Sequence, residues 1–401
     1  MDCQRSPREA KPEQSFRELY ESQQKETLSP RAALPSDANL TQRKFSAGYK
    51  PDDCRTEFGR DYTRIIHSRA FRRLHHKIQV FVNPANDHLC TRLEHSLHVA
   101  SVGCTIARAL KLNEDLVMAI AVGHDLGHAP FGHRGEECLD KLATRHGLGF
   151  SHELHSLRVV DVLESPYREH PGLNLTFAVR DGIACHYGEG FEQELKPDCG
   201  KRVERLDSMQ RGEDRPVTLE GCVVRWADKI AYLGRDLEDA ITLGILRREE
   251  LPEGVKTVLG SKNAEIIGSL VQEILWCSRE DGAVCVGDQV HQALNEFYMF
   301  SKEKIYHSEK ARQSWSQVEQ AMAILFEFLL KELERASDNP NDLFGERRVR
   351  CLQVFRQFLE EDVKDWREVP PARTVIDFIA GMTDSFFISS VRDLFLPTET
   401  V

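Results

Sequence analysis

Residues 121–139 read AVGHDLGHAPFGHRGEECL, an apolar segment that runs into a dense group of ionisable side chains. This short span contains three histidines, one aspartate and two glutamates. An apolar helix that ends in so many ionisable groups must provide partners for them, because buried charges are paired or coordinate a metal. Imidazole and carboxylate groups together suit a divalent ion. We therefore predict that the adjacent pair His124 and Asp125 holds a metal ion.

The sequence on both sides of this segment has the three- and four-residue apolar spacing of amphipathic helices. One helix is predicted from Thr91 to about residue 110. A second begins at Asn113, which is suited to an N-cap, and ends near Gly127. Further helices are predicted over residues 151–164, 218–244, 314–336 and 374–387. Strand signals are few, so the predicted class is all-α, a helical bundle with additional C-terminal helices.

Composition and periodicity divide the chain into three parts. Residues 1–50 are polar and lack sustained periodicity, which predicts a mobile N-terminal arm. Residues 51–245 carry the strong helices and are predicted to form the catalytic core. Residues 246–401 are predicted to form a helical region packed on that core. Residues 194–217, rich in polar residues with glycine and proline, are expected to form a surface loop.

The net charge and the apolar content of the chain limit the classes of binding partner that it can have. The net charge of −11 disfavours general binding to nucleic acid, because phosphate backbones need a basic face. An anionic substrate remains compatible, since local arginines or a metal can reverse the field within one cleft. No stretch reaches the roughly 18 consecutive apolar residues of a membrane helix, and the N-terminus lacks a secretory pattern. A cytoplasmic protein without a membrane partner is expected.

Two further segments carry metal-ligand residue types. The segment TRLEHSLHVA (91–100) contains His95, with Arg92 on the same helical face, and WADKIAY (226–232) contains Asp228. Helical bundles build metal sites from inward ligands on separate helices. A lone histidine on an apolar face is more often a core residue, so the order of the segments carries the prediction. The donors suit Mn, Fe, Co, Ni or Zn and tolerate Mg.

This order of His, then His-Asp, then a distant Asp resembles the HD superfamily of metal-dependent phosphohydrolases, which are all-α domains. Closer similarity is to the bacterial deoxynucleoside triphosphate triphosphohydrolases, the dGTPase-like family, and it extends from about Arg55 to about Phe387. The segments that carry it include RDYTRIIHSRAFRRL (60–74), KIQVF (77–81), TRLEHSLHVA (91–100), HDLGHAPFGHRGEE (124–137) and DFIAGMTDSF (377–386).

The resemblance implies a cofactor and its ligands. It implies one divalent ion, Mn²⁺ or Mg²⁺, with Fe, Co, Ni and Zn as alternatives. The implied ligands are His95, His124, Asp125 and Asp228. An ion with open coordination positions can polarise a phosphorus centre and orient an attacking water.

The resemblance also assigns catalytic and phosphate-binding roles. His133 and Glu136 are implied to form the catalytic pair, with His133 beside the α-phosphate and Glu136 orienting it. His152 and Arg92 are implied to contact the phosphates, and His128 is assigned to the substrate site. From the residues alone, His133 and Glu136 would equally suit surface groups in a glycine-rich turn.

The sugar side of the substrate site is implied in the same way. Tyr232 is implied to form a wall against the deoxyribose, Asp236 to hydrogen-bond near the phosphates, and Gln79 to contact the sugar hydroxyl. Tyr232 would equally suit an ordinary core residue. Arg158 and Lys229 are further candidate phosphate ligands. Lys229 is the weaker of the two, because one residue along a helix turns about 100° away from its neighbour.

Three positions depart from the usual pattern of the family. Glu153 and His155 replace an asparagine and a glutamine, and Arg235 replaces a histidine before Asp236. A carboxylate close to a triphosphate is repulsive, so Glu153 must face away or bind a second cation. The first two replacements affect the phosphate pocket and leave the metal ligands intact.

The resemblance implies hydrolysis of a 2′-deoxynucleoside 5′-triphosphate (dNTP) to deoxynucleoside and inorganic triphosphate. The alternatives are another HD phosphohydrolase, acting on a nucleoside monophosphate or (p)ppGpp, and a nucleotide sensor without turnover. The complete ligand set counts against the sensor. Family members assemble as hexamers or tetramers and some respond to nucleotides, so a homo-oligomer and an allosteric dNTP are expected. The basic run at residues 71–77 suits an effector site or, equally, a solvated helical face.

Overall fold

The computed structural model describes residues 15–46, 53–81, 89–167, 169–187, 191–279, 282–308, 315–335, 349–363 and 366–395. Helices dominate these ranges, which confirms the all-α prediction. In chain order they are α1 (Phe16–Thr27), α2 (Glu57–Ile66), α3 (Arg69–Arg73), α4 (Arg92–Ala109), α5 (Glu114–Gly123), α6 (Gly132–Arg145), α7 (His152–Arg158), α8 (Phe177–Ala184), α9 (Leu219–Thr242), α10 (Glu253–Val258), α11 (Asn263–Cys277), α12 (Asp288–Ser301), α13 (Trp315–Arg335), α14 (Arg350–Glu361), α15 (Pro371–Ala380) and α16 (Asp384–Phe395).

Short elements complete the described chain. Single π-helical turns follow α7 and α12, at Val159–Leu163 and Lys302–Tyr306. Short 3-10 turns lie at Leu74–His76, Val203–Ser208 and Arg248–Glu250. Strand β1 (Glu194–Leu195) pairs antiparallel with β2 (Val284–Cys285), so the expected loop at 194–217 contains one short strand and one helical turn. Within the described ranges, no helix is long and apolar enough to cross a membrane.

The core is built on helices α4, α5 and α9, which pack against one another, with α2 and α8 against α5. Gly103 of α4 permits this close approach: a Cβ atom there would lie 2.9 Å from Val117 Cγ1 and 3.6 Å from Ala227 Cβ. Because these three helices share one contact region, the predicted ligand residues on α4, on α9 and directly after α5 face a common centre.

The C-terminal helices pack on this core. Helix α13 lies against α6 and α15, and α12 with its π-helical turn lies against α9. The π turn therefore brings side chains of the C-terminal region to the helix that carries Asp228. The boundary between the core and the C-terminal region stays a prediction.

Residues 15–46, which we expected to lie in a mobile arm, include α1 and pack on the core. Arg43, whose side chain is largely covered, forms ion pairs of 2.6 Å with both Glu57 and Asp61. The backbone N–H of Ala33 donates to the buried carboxylate of Glu220. Polar anchors of this kind leave no apolar periodicity in the sequence, which is why the pattern suggested an arm. The rest of the expected arm lies outside the described residues.

The predicted N-cap of α5 is confirmed, and it supports a stability prediction. Asn113 Oδ1 accepts from the N–H of Leu116, and its Nδ2 donates to the carbonyl of Ala33. We expect Asn113→Ala to lower the free energy of unfolding by about 2 kcal/mol, because it removes a cap and a buried hydrogen bond. Urea unfolding measures this. The control Ser15→Ala, at the exposed N-cap of α1, should cost about 1 kcal/mol or less; equal losses would contradict the account.

Candidate active site

The turn after α5 presents the His124-Asp125 pair to the centre of the core. Helix α5 ends at Gly123, earlier than predicted, and the following residues turn against α7. The Ser156 hydroxyl donates to the carbonyl of His124 and accepts from the N–H of Gly127. A Cβ atom at Gly127 would lie 2.1 Å from the backbone nitrogen of Ser156, so only glycine permits this approach. The turn is thereby fixed to α7.

Three predicted metal ligands, one on α4, one on α9 and one in the turn after α5, converge in this centre. His95, His124 and Asp228 each offer a ligand atom, and these atoms lie within 4.8 Å of one another. His95 Nε2 lies 2.8 Å from Asp228 Oδ1, and His124 Nε2 lies 3.8 Å from the same oxygen. His124 Nδ1 donates to the carbonyl of Ala121, while its buried Nε2 has no hydrogen-bond partner among the described residues. That is the tautomer that a metal-binding histidine adopts.

The carboxylates of Asp125 and Asp228 have lowered pKa values, and ionised carboxylates are suited to bind a cation. Burial alone would raise the pKa of Asp228, but the hydrogen bond and charge of His95 lower it far below its usual value. Burial likewise opposes ionisation of Asp125, and His124 and Arg92 together hold its pKa well below the usual range. Both carboxylates are therefore ionised at neutral pH, as metal ligands must be.

Asp125 occupies a position between two groups of side chains. Its Oδ2 accepts from Arg92 Nη1 at 3.0 Å, and its Oδ1 lies 3.4 Å from His124 Nε2. The ligand atom of Asp125 also lies within 4.8 Å of those of His152 and His186. Asp125 thus faces both the predicted ligand group and a neighbouring pair of histidines.

The predicted catalytic residues form a second cluster at the start of α6. Glu136 Oε2 accepts from His152 Nδ1 at 2.8 Å and lies 3.4 Å from Nδ1 of the exposed His133. The backbone N–H of His152 donates to Glu136 Oε1. Despite burial, the charge of His152 keeps the pKa of Glu136 well below its usual value. His128 stacks on His152 with ring centroids 4.0 Å apart, and burial beside Arg92 lowers its pKa strongly.

A cavity of about 290 Å³ joins these clusters. Most of the predicted site residues line it, namely Gln79, Arg92, His95, Asp125, His128, His133, His152, Asp228, Tyr232 and Asp236. Glu136 and His124 contact these residues from just behind the wall. The structure therefore brings the predicted residues together around one cavity.

Two predicted phosphate ligands do not belong to this cavity. Lys229 Nζ lies 5.2 Å and 5.4 Å from the ring centroids of Phe191 and Trp226. One residue along the helix turns Lys229 about 100° away from Asp228, the predicted metal ligand. Burial lowers the pKa of Lys229 to about 7. Arg158 pairs with Asp377 at 2.6 Å instead. We therefore correct the assignment of both residues to the substrate site.

The three departures from the family pattern have different surroundings. Glu153 is buried and lines the cavity, 3.6 Å from His152 Nδ1. His155 lies outside this cavity, with its Nδ1 3.7 Å from Asp377 Oδ1. Arg235 pairs with Asp239 one turn along α9. Of the three departures, Glu153 is the one that lines the site.

Sequence reasoning missed several residues of the cavity wall. His186, Arg211, Tyr298, Tyr306 and Trp315 all line it. The hydroxyl of Tyr306 donates to Asp236 Oδ2 at 2.7 Å. His186 follows α8 in a segment without a recognised motif, and the two tyrosines come from the C-terminal helices. The one sequence signal that could have indicated His186 is its position just after the apolar helix at residues 177–184.

The fold and this site define an HD-domain hydrolase. Residues 92–233 match the HD domain family, and residues 284–393 match the phosphohydrolase-associated domain. The chain is 37% identical to a deoxyguanosinetriphosphate triphosphohydrolase-like protein of Caldanaerobacter subterraneus, over 95% of this chain and 96% of the relative. It belongs to the deoxyguanosinetriphosphate triphosphohydrolase-like family, which confirms the resemblance seen in the sequence.

Other relatives in this family support the same membership. A protein of that name from Desulfatibacillum aliphaticivorans is 36% identical over 96% of this chain and 100% of the relative. A protein of that name from Thiobacillus denitrificans is 49% identical over 53% of each chain. Similarity therefore extends over nearly the whole chain.

Proposed function

We propose that this protein hydrolyses 2′-deoxynucleoside 5′-triphosphates to deoxynucleoside and inorganic triphosphate. The observation that carries the proposal is the single cavity in which the His95, His124 and Asp228 group adjoins the Glu136–His152 pair. The family name of the relatives supports a deoxynucleotide substrate. Family membership supports the reaction class, and the geometry supports the roles of individual residues.

We propose His95, His124, Asp125 and Asp228 as the ligands of one divalent ion, Mn²⁺ or Mg²⁺. The inward Nε2 of His124, unpartnered among the described residues, and the ionised carboxylates fit this ion. When bound, such an ion polarises a phosphoryl oxygen and favours deprotonation of water. Arg92 positions Asp125 through its Nη1 and leaves its buried Nε without a partner among the described residues.

His133 and Glu136 are suited to move the proton. Water attacks the α-phosphorus, the bond from phosphorus to O5′ breaks, and the 5′ oxygen takes up a proton as the deoxynucleoside leaves. His133 lies exposed at the cavity mouth, where it can exchange protons with the solvent. Glu136 is close enough to fix the orientation of the His133 ring, and it holds His152 toward the cavity.

Cations around the cavity suit a triphosphate. Arg92 and His152 are proposed to hold its oxygens, and Arg134, Arg211 and Lys302 also line the wall. Guanidinium groups bind phosphate through paired hydrogen bonds. Carboxylates line the same wall, so these cations would act on the triphosphate together with the proposed divalent ion.

The remaining wall is suited to the deoxyribose. Gln79 Oε1 is buried and unpartnered among the described residues, Tyr232 is half-buried, and Asp236 is fixed by Tyr306. We propose that Gln79 contacts the sugar hydroxyl and that the Tyr232 ring excludes a 2′-hydroxyl. A wall without room for that group rejects ribonucleotides by steric exclusion, while base preference depends on residues that no motif marks.

Product analysis tests the proposal. Each dNTP is incubated with the protein and Mn²⁺, singly and in mixture, and phosphorus species are resolved by ³¹P NMR. Inorganic triphosphate with deoxynucleoside is expected, and turnover only in the mixture would reveal the proposed allosteric nucleotide. Orthophosphate or pyrophosphate would instead support another HD phosphohydrolase. Absence of turnover with metal bound would support the sensor.

The proposed assembly is a homo-oligomer, a hexamer or tetramer. Light scattering after size-exclusion chromatography, with and without dNTP, measures it. Trp276 and Met299 are large apolar side chains that stay more than half exposed in the single chain. A monomer under both conditions would contradict this expectation.

The pH dependence of KM follows from Asp236. Burial raises the pKa of Asp236 to about 7, although the hydrogen bond from Tyr306 partly offsets the shift. Below this pKa a protonated Asp236 can donate to a phosphate oxygen, and above it the carboxylate repels the substrate. We therefore expect KM for the dNTP to rise with pH through about 7, as measured in steady-state assays.

Two variants check this assignment. Tyr306→Phe removes the donor that favours the ionised form, so the rise in KM should move to higher pH. Asp236→Asn keeps a neutral donor at every pH, so the rise should disappear. If the same rise persisted in Asp236→Asn, another group would be responsible.

A further inference from the structure

Arg211 and Glu153 meet at the wall of the active-site cavity, and the function proposed above gives Glu153 no role. Arg211 lies in the loop of residues 196–218, between β1 and α9, and Glu153 lies in the first turn of α7. Arg211 Nε is 3.8 Å from Glu153 Oε1, and Arg211 Nη2 is 3.6 Å from Glu136 Oε1. Glu153 is also the departure from the family pattern that lines this wall, so its role must follow from the structure itself.

The base of the 196–218 loop is fixed by the buried carboxylate of Asp181 on α8. Its Oδ1 lies 2.7 Å from Lys201 Nζ, and its Oδ2 accepts from the backbone N–H of Val217 at 2.6 Å. Lys201 also donates to the carbonyl of Arg215. Breaking this buried ion pair would leave a charge without its partner, which is costly. The loop is therefore attached to α8, the helix that precedes the cavity-lining His186.

The tip of the loop is docked against Tyr187. Gly212 has a φ of 76°, which glycine adopts at little cost, and a Cβ atom there would lie 2.8 Å from Tyr187 Cε1. The neighbouring Arg211 guanidinium lies 5.5 Å from the centroid of the same ring. Earlier in the loop, Arg205 donates to Asp214 through two hydrogen bonds of 2.9 Å. The fold of the loop thus brings Arg211 to the cavity, where its side chain stays 38% exposed.

Glu153 requires cations around it, because a buried carboxylate without one carries a large desolvation cost. Glu153 is 2% exposed, and its Oε2 has no hydrogen-bond partner among the described residues. Burial lowers the pKa of His152, but the charges of Glu136 and Glu153 outweigh this effect and raise that pKa to about 9. Protonated His152 and Arg211 therefore face the two carboxylates, and their charges offset the repulsion that Glu153 would exert on an anion.

The guanidinium of Arg211 is suited to donate hydrogen bonds to a phosphate. Arginine carries five N–H donors in a planar fork and binds phosphate through paired hydrogen bonds. At 3.6 Å and 3.8 Å, the two carboxylate contacts orient the group by charge and are too long to be hydrogen bonds. A phosphate in the cavity can therefore accept from Arg211 while Glu153 stays beside it. Orienting a side chain in advance reduces the entropy that it loses on binding.

We propose that Arg211 binds the triphosphate of the substrate and that Glu153 is the positioning residue that keeps its guanidinium at the cavity. The inference rests on the proposed function, because it takes a dNTP as the ligand, and it names the residues that hold the phosphate chain. With Arg211 present, Glu153 favours binding because it orients the guanidinium. Without Arg211, Glu153 only repels the anion. The sign of its effect on affinity therefore depends on Arg211.

Isothermal titration calorimetry with inorganic triphosphate as the probe tests the role of Arg211 without an activity assay. The full chain is loaded with Mn²⁺ and freed of excess metal. Arg211→Ala should weaken binding by roughly ten- to a hundredfold, as expected for the loss of a charge-assisted hydrogen bond. Arg211→Lys keeps the charge without the fork and should lose less. The control Arg202→Ala removes an exposed arginine of the same loop that does not line the cavity, and its affinity should stay within about twofold.

Glu153→Gln provides a readout that a merely structural role would not give. The amide has the same length but no charge. In the unmodified chain this substitution should weaken triphosphate binding, and in the Arg211→Ala chain it should strengthen binding. Stronger binding in both chains would show that Glu153 only repels the phosphates and would overturn its positioning role. Equal affinity of Arg211→Ala and the unmodified chain would overturn the role of Arg211.

The outcome for these two residues is distinguishable from the outcome for the proposed function. Circular dichroism establishes that each variant is folded. The reaction is decided by the products formed from a dNTP, whereas this inference is decided by triphosphate affinity. If the unmodified chain releases triphosphate and Arg211→Ala binds it normally, the proposed function stands and this inference alone fails. If the unmodified chain does not bind triphosphate, the inference is refuted whatever the products are.

Discussion

Replacing Asp228 with asparagine is expected to lower kcat/KM for a dNTP by roughly a thousandfold or more and to remove one bound Mn²⁺ ion. The carboxylate lies 2.8 Å from His95 Nε2 and 3.8 Å from His124 Nε2, at the point where three helices meet. An amide has nearly the same shape but no charge, so the ligand group loses an anionic donor. A Lewis acid contributes several kcal/mol to the transition state, and about 4 kcal/mol corresponds to a thousandfold.

Asp239→Asn is the matched control for this prediction. It alters a buried carboxylate on the same helix that accepts from the backbone N–H of Cys90 and does not line the cavity. We expect its kcat/KM to stay within about threefold of the unmodified protein, as for a change outside the reacting groups. If kcat/KM fell equally in both variants, any replacement of an aspartate on α9 would impair the protein. The effect of Asp228→Asn would then not be evidence for a metal ligand.

Glu136→Gln is expected to lower kcat by roughly a hundred- to a thousandfold with a smaller change in KM. Glu136 is the common acceptor for His152 Nδ1 and for the backbone N–H of His152, and it lies 3.4 Å from His133. A glutamine can still accept through its oxygen, but it no longer stabilises a protonated histidine. The loss should therefore concentrate in the proton-transfer step, which steady-state kinetics at saturating dNTP measures.

Asp140→Asn provides the structural control on the same helix. Asp140 Oδ1 accepts from the N–H of Phe150, just as Glu136 accepts from that of His152, but it does not line the cavity. If Asp140→Asn reduced kcat as strongly as Glu136→Gln, the role of Glu136 would be to tether the loop before α7. An unchanged kcat in Glu136→Gln would contradict the proposal that His133 and Glu136 act as a catalytic pair.

The helices and the convergence of the proposed metal ligands could be predicted because both leave regular patterns. Helix α5 has a capping asparagine and a continuous apolar face, and α4 and α9 carry their ligands at positions that helical periodicity turns inward. The order His95, His124, Asp125 and Asp228 also matches a known family. Local sequence and long-range order therefore pointed to the same site.

Other features left no pattern, because tertiary packing alone creates them. His186 is a single histidine whose meaning depends on the distance to His152, and Tyr306 reaches Asp236 from a segment 70 residues away. Arg43 anchors the N-terminal segment through ion pairs, which apolar periodicity does not register. Lys229 shows the opposite case. Its position next to Asp228 in the sequence suggested that it lines the cavity, but the rotation of the helix places its side chain against the Phe191 ring.

The site of bond cleavage is the central claim, and turnover in ¹⁸O-labelled water tests it most directly. The protein is incubated with a dNTP and Mn²⁺ in labelled water, and both products are analysed by mass spectrometry. Attack at the α-phosphorus predicts that the label enters inorganic triphosphate and that the deoxynucleoside carries none. Label in the deoxynucleoside, or formation of deoxynucleoside mono- or diphosphate in place of triphosphate, would contradict the proposed reaction.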